Sequence, residues 1–209
     1  MPRTNRKPSR TRSRSRSSSR RRISKKSSRK SSRKRSRSKS MSKSIKINRS
    51  ILKIIPNEVC RKKMEFDNKV FNFYEKLSIY ILNEITKKSG KGKLTLTDIK
   101  KNSKKVIGGH INDYMYNSVI NNSNKYFVTN NFYSPKSLEK ILDEMINFND
   151  NNYSKKIMLN LSEIILYLLG EITELVCLSA NKSSKITLSL VKERIKGDEE
   201  LNRIFVNFL

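Results

Sequence analysis

Tryptophan is absent from this 209-residue chain; histidine occurs once, cysteine twice, proline four times and glycine six times. Each scarcity removes a class of chemistry. Cys60 and Cys177 lie far apart without a CxxC spacing, and His110 has no second histidine to join it, so a zinc site would need several carboxylates. The same inventory suggests no Cys–His or Ser–His catalytic pair, and there is no P-loop, GxGxxG or HExxH motif. The expectation is a protein that is not an enzyme, with no metal, no cofactor and no small-molecule substrate. Both thiols are expected to be reduced and packed, as in an intracellular protein. His110, after Gly108-Gly109, reads as an ordinary surface or cap histidine. Long apolar runs are missing too. The longest, Ile164 to Leu169, falls far short of the ~18–20 residues that span a bilayer, so no membrane partner is expected. The N-terminus lacks the apolar core of a secretory signal. Its Arg/Ser richness superficially matches a transit peptide, but only Met1, Ile23 and Met41 are sizeable apolar residues before Ile45, too few for an amphipathic helix.

Acidic residues are missing from one whole region. Residues 1–50 hold 22 Lys/Arg and no Asp or Glu, whereas residues 51–209 hold 25 basic and 18 acidic residues, a net +7 of the total +29. Residues 1–44 have no aromatic and almost no aliphatic side chain, so the expectation is a disordered Arg/Ser/Lys-rich tail. Its arginines, Arg20, Arg21, Arg22, Arg33 and Arg35 among them, suit a polyanion, because each neutralised phosphate releases condensed counterions. A nuclear localisation signal or a solubilising tail is the plainer reading of the same run. Residues 9–44 also hold 16 serines. Phosphorylation adds about −1.5 to −2 charges per serine, so modifying roughly ten would nearly cancel the tail's charge. This composition resembles serine-arginine domains of splicing proteins and protamines alike.

What the rest of the chain has is helical periodicity, twice over. Over Asn68–Lys88, Val70, Tyr74, Leu77, Ile81 and Ile85 fall at spacings of four, three, four and four, with Phe71, Phe73 and Leu82 widening the stripe. A Gly-bearing basic loop follows, then a β-like strip, Leu94 to Thr97, and a second helix from Asp98 to Ile107 that Thr97 suits as a cap. Over Lys156–Ala180 a long helix is apolar nearly all round and should be buried centrally. It too is followed by a basic loop (Asn181–Lys185), a β-like strip (Ile186 to Leu188) and a shorter helix to Lys196. Short helices are expected before each long one, near Arg49–Ile55 and Ser137–Met145. The unit recurs about 100 residues on, and neither copy can bury itself well alone, so an all-α protein of two mutually packed units is expected. The polar stretch at residues 128–136 separates them.

Residues 161–175, LSEIILYLLGEITEL, resemble the central helix of the 2A-type core histone, LAAVLEYLTAEILEL, and residues 195–202, IKGDEELN, resemble that histone's IRNDEELN. The first unit resembles the 2B type through fewer identities. Ile51-Leu52-Lys53 with Pro56 looks like the end of its first helix, residues 93–99 like its STITSREI loop, and residues 107–127 like the helix that closes that histone. The chain thus resembles a fused histone 2B–histone 2A doublet of the kind found in large DNA viruses. The resemblance implies two tandem histone folds packed as an intramolecular heterodimer behind the tail: residues 45–128, a linker at 129–136, and residues 137–209.

The resemblance also implies a mechanism. Paired histones cross their long helices head to tail and bring loops together at both ends to grip DNA backbone. The residues so implied are Arg61, Lys62 and Lys63 with Lys182 and Lys185 at one end, and Lys91 and Lys93 with Lys155 and Lys156 at the other. Lys185 stands where the family inserts a minor-groove arginine and lacks that residue's planar fork. For any one lysine, a solvated surface charge is the plain alternative. Glu171, Glu174, Asp198, Glu199 and Glu200 match the 2A-type acidic docking patch, whereas the 2B-type acids have no clear match, one of their positions being His110. The last three acids also suit a helix N-terminus. The implied partners are double-stranded DNA and histone 3/histone 4-type proteins, in the nucleus or viral factory of an infected cell, or in the virion. The 2A-type C-terminal extension is not found after Leu209, which puts a standard octamer in doubt. Two alternatives keep parts of this reading: a histone-fold subunit of a transcription or replication complex, and a serine-arginine-rich RNA-processing protein. The second lacks the aromatic strips of an RNA-recognition module.

Overall fold

The computed structural model describes residues 45–87, 93–130, 132–148, 153–180 and 185–209, all within the unit formed by residues 41–209. These residues are mostly helical. Two helices dominate: α3 (Asn68–Ile85) and α7 (Lys155–Ser179). Asp67 starts α3, its carboxylate accepting the Lys69 N–H at 3.0 Å. Val70, Tyr74, Leu77, Ile81 and Ile85 are all buried, as their spacing requires. Ser154 starts α7 by accepting the Ile157 N–H. From Asn160 to Leu169 every residue of α7 is buried, and Ile172, Thr173 and Val176 extend this towards its end. Full burial of each leucine or isoleucine contributes about 1.5–3 kcal/mol, so this helix carries the largest share of the core.

Ahead of α3 lie β1 (Ile45–Ile47), α1 (Arg49–Leu52), α2 (Ile54–Val59) and β2 (Glu65–Phe66); behind it come α4 (Leu96–Val106) and α5 (Gly109–Tyr114). Ahead of α7 lie α6 (Pro135–Glu144) and β3 (Ile146–Phe148); behind it come β4 (Lys185–Ile186), α8 (Leu188–Gly197) and α9 (Glu199–Phe205). β2 pairs in parallel with β4, Glu65 opposite Lys185 and Phe66 opposite Ile186, so the start of α3 lies beside the end of α7. The Tyr74 hydroxyl meets Thr173 Oγ1 at 3.1 Å between the two long helices. Far from that pair, Asn160 near the start of α7 shares a groove with Leu96 and Thr97 of α4. β1 pairs antiparallel with β3, with Ile47 opposite Ile146.

Two helix starts are capped from a distance. Glu58 on α2 accepts the Ser134 N–H at 3.0 Å and the Ser137 hydroxyl at 2.9 Å, at the start of α6. Glu200 on α9 accepts the N–H groups of His110 (2.8 Å) and Ile111 (3.1 Å), at the start of α5. There the chain passes through two glycines at positive φ, 57° and 59°. A Cβ on Gly109 would lie 2.5 Å from both the Glu200 carboxylate and the Arg203 guanidinium, so the approach demands glycine.

Several expectations need correction. The cap of α4 is Thr95, not Thr97: Thr95 Oγ1 accepts the Asp98 N–H at 3.2 Å and Asp98 accepts the Thr95 N–H at 3.0 Å. The helix therefore starts at Leu96, and the strip from Leu94 to Thr97 forms no strand. The region 107–127 is not one helix. A π-helical turn, Met115–Val119, ends at Ile120, and Asn121 takes a left-handed conformation (φ 63°) before a second such turn at Asn124–Val128. Nor are the thiols free. Cys60 and Cys177 form a disulfide, Cα–Cα 5.8 Å, joining the end of α2 to the last third of α7 across 117 residues of sequence. They escaped sequence reading because only the packing of α2 on α7 brings them together.

Candidate nucleic-acid interface

The loop between α2 and β2 carries Arg61, Lys62 and Lys63, all exposed. Cys60 anchors its beginning to α7 through the disulfide, and the β2–β4 pair anchors its end. The Asp67 N–H donates to the Ile186 carbonyl at 3.0 Å and extends that ladder by one bond. Lys185 is thereby carried to the same end as the Arg61–Lys63 loop. Its ammonium lies 3.9 Å from Glu65, but both side chains are more than half exposed, so water screens the pair and it adds little stability. The ends of two sequence-distant helices thus present four cations on one rim.

The other end is built from the N-termini of α4 and α7. Lys93 is exposed two residues ahead of the Thr95 cap. Lys155 and Lys156 open α7 and are exposed, with Lys155 4.0 Å from Asp143. Asn160, one turn beyond Lys156, reaches the groove that α4 lines, which sets these two basic starts at the same end of the molecule. Lys91, Lys182 and the tail arginines Arg20, Arg21, Arg22, Arg33 and Arg35 lie outside the described residues.

No family model matches the chain, and no curated protein does.

All five predicted acids, Glu171, Glu174, Asp198, Glu199 and Glu200, line one open cavity of about 380 Å³, together with Ile111, Leu175, Leu178 and Leu201. Their roles differ. Asp198 caps α9 by accepting the Leu201 N–H at 2.8 Å, and Glu200 is committed to the start of α5. Burial pushes the Glu171 carboxyl above the usual range; a hydrogen bond from Tyr167 opposes this, and the neighbouring Glu174 and Asp198 add to it. Leu178, exposed at 70%, stands beside these carboxylates. His110 serves the cluster through its backbone N–H. Among the described residues no group of three or more His, Cys, Asp or Glu could hold a metal ion, and no helix is long and apolar enough to cross a membrane.

Sequence reasoning missed Glu163. It is buried in the middle of α7, where it accepts the Ser123 hydroxyl at 2.7 Å and faces the Asn121 N–H at 3.4 Å. Burial raises its pKa, and those hydrogen bonds oppose the rise. It is the only charged residue between Lys156 and Glu171 in a mostly apolar stretch, and that was the available signal. Glu65, the counter-charge of Lys185, was missed as well.

Proposed function

We propose that this chain is a histone-type doublet that binds and compacts double-stranded DNA. In this reading residues 45–128 and 137–209 are tandem 2B-like and 2A-like histone folds, and α3 and α7 are their central helices. The observation that carries it is the β2–β4 pair, which sets Lys185 beside the Arg61–Lys63 loop at one end of the molecule. Exposed lysines and arginines on a rigid rim suit the phosphate backbone and carry no base readout. Lys93, Lys155 and Lys156 would grip the next inward-facing stretch of duplex, and both ends must act for the DNA to bend. The 22 positive charges of residues 1–50 add counterion-release affinity that salt weakens. The acid-lined cavity is the counterpart of the family's docking patch, with Glu171, Glu174 and Glu199 left to meet a partner. Histone 3- and histone 4-type proteins are the proposed assembly partners, in the nucleus or viral factory of an infected cell. The loops argue for wrapping over a factor-subunit role.

The test is charge reversal at one end: Lys62→Glu, Lys63→Glu and Lys185→Glu in one protein. These positions are exposed, so helicity should be unchanged. Affinity should fall about equally on unrelated DNA sequences, and the nuclease-protected fragment should shorten. Unchanged affinity and protected length would defeat the wrapping reading.

A further inference from the structure

α4 carries a charge pattern that its fold does not need. It buries Ile99 and Ser103, the latter bonded to Asn112 Oδ1 at 2.9 Å, and its Asn102 amide donates to the carbonyls of Ile85 and Lys87 at the end of α3. The outward face presents Lys100, Lys101, Lys104 and Lys105, all exposed. Their spacing creates two like-charge pairs at i, i+4, each destabilising to the helix. Lys104 and Lys105 at least sit in the last turn, where the helix dipole favours cations; Lys100 and Lys101 have no such reason. Asp98 is engaged in the capping box, and among the described residues no carboxylate lies within salt-bridge reach of the four lysines. α6, by contrast, interleaves Lys136 and Lys140 with Glu139, Asp143 and Glu144.

The face is also shaped. Lys100, Lys101 and Lys104 edge an open groove of about 420 Å³ that Tyr116, Asn121 and Asn160 help to line. The Lys100 ammonium sits 5.4 Å from the Tyr116 ring centroid, which supports it on the surface. The two lysine pairs are set four residues apart, about 6 Å along the helix, and follow the same element that Lys93 introduces. A regular row of cations on one rigid outer face, with no acid among them, fits a regular row of anions.

We infer that the outer face of α4 is a further duplex-binding surface, which takes the phosphate backbone through Lys100, Lys101, Lys104 and Lys105. It lies outside the loop ends already described. The inference rests on the DNA-binding reading but not on which loops do the gripping. A bound phosphate strand relieves the self-repulsion of α4, so binding and the stability of this helix rise together.

The experiment compares full-length proteins on one mixed-sequence duplex across a salt series. One carries Lys100→Gln, Lys101→Gln, Lys104→Gln and Lys105→Gln. A control carries Lys53→Gln, Lys76→Gln, Lys136→Gln and Lys140→Gln, the same charge loss at exposed positions elsewhere. The slope of log K against log salt should flatten by about 0.9 for each phosphate no longer neutralised, up to about 3.6 for the α4 protein, and by less than about 1 for the control. Four Lys→Arg changes on α4 keep the charge and should restore the slope. Equal shifts for the α4 and control proteins would overturn the inference. So would an α4 protein that keeps duplex affinity but no longer binds a poly-glutamate peptide, since the face would then serve a protein partner. If the α4 protein weakens and the Lys62, Lys63, Lys185 reversal does not, the α4 site stands and the loop-end reading falls; the opposite pattern sinks the α4 site alone.

Discussion

α3 and α7 occupy equivalent places in a repeated pattern and are used differently. α3 buries one stripe and leaves Asn72, Lys76 and Asn83 in solvent. α7 is buried on every side between Asn160 and Leu169, so α2, α6, α8 and the turns around residue 120 all use it as a floor. A repeat in sequence has therefore not produced a symmetric core. One helix is the hub and the other a flank, and the second half of the chain supplies about half of what the first half packs on.

The largest expected effect tests the covalent tie between that hub and the first half. The Cys60–Cys177 bond closes a loop of 117 residues. Loop-closure entropy puts its worth at up to about 4.7 kcal/mol for a loop of this order. Urea unfolding with and without reductant, with thiols titrated to prove reduction, should show the midpoint falling on reduction. Identical midpoints would mean that packing on α7 alone sets the stability.

A mid-sized effect should separate the two helices directly. Leu168→Ala, in the fully buried stretch of α7, should cost about 2–5 kcal/mol. Ile79→Ala, on the half-buried flank of α3, should cost about 1 kcal/mol. Equal losses in equilibrium unfolding would dissolve the distinction between hub and flank.

The smallest effect is a pH dependence carried by a buried carboxylate of α7. The folded pKa of Glu163 is raised above its ordinary 4.5, so the native state holds this proton to higher pH than the unfolded chain does. Its contribution is therefore fully present below about 4.5 and is lost as pH rises from there through the folded value. Glu163→Gln should flatten the decline of Tm over that range. Glu171, shifted the same way, should leave a residual slope. An unaltered pH profile in Glu163→Gln would place the titration elsewhere.

Both long helices were legible because apolar residues at 3.6-residue spacing leave few alternatives; the α3 stripe is buried throughout, whereas α7 leaves Leu159 and Leu175 half-buried and Leu178 in solvent. The resemblance of residues 161–175 and 195–202 singles out five acids, and all of them line one cavity. Local chemistry was harder. Thr95 and Thr97 are both competent caps, and only the reciprocal bond with Asp98 decides between them. Glu163 was illegible because its partners lie some forty residues earlier, in a turn that Asn121 breaks by adopting positive φ. The α4 lysines were present in the sequence as part of a helix; that no described carboxylate lies within salt-bridge reach of them belongs to the surface and not to the order of residues.

The distant caps on α5 and α6 bear on how each half chooses its mate. Glu58 of the first half satisfies the start of α6 in the second, and Glu200 of the second satisfies the start of α5 in the first. A pair made of two first halves would keep Glu58 with no α6 to receive it, and would leave the His110 and Ile111 N–H groups without Glu200. A pair of second halves would fail in the mirror sense. These caps sit at partly exposed helix starts, where each lost bond costs about 0.5–1.5 kcal/mol, so two glutamates together weigh against like-with-like pairing.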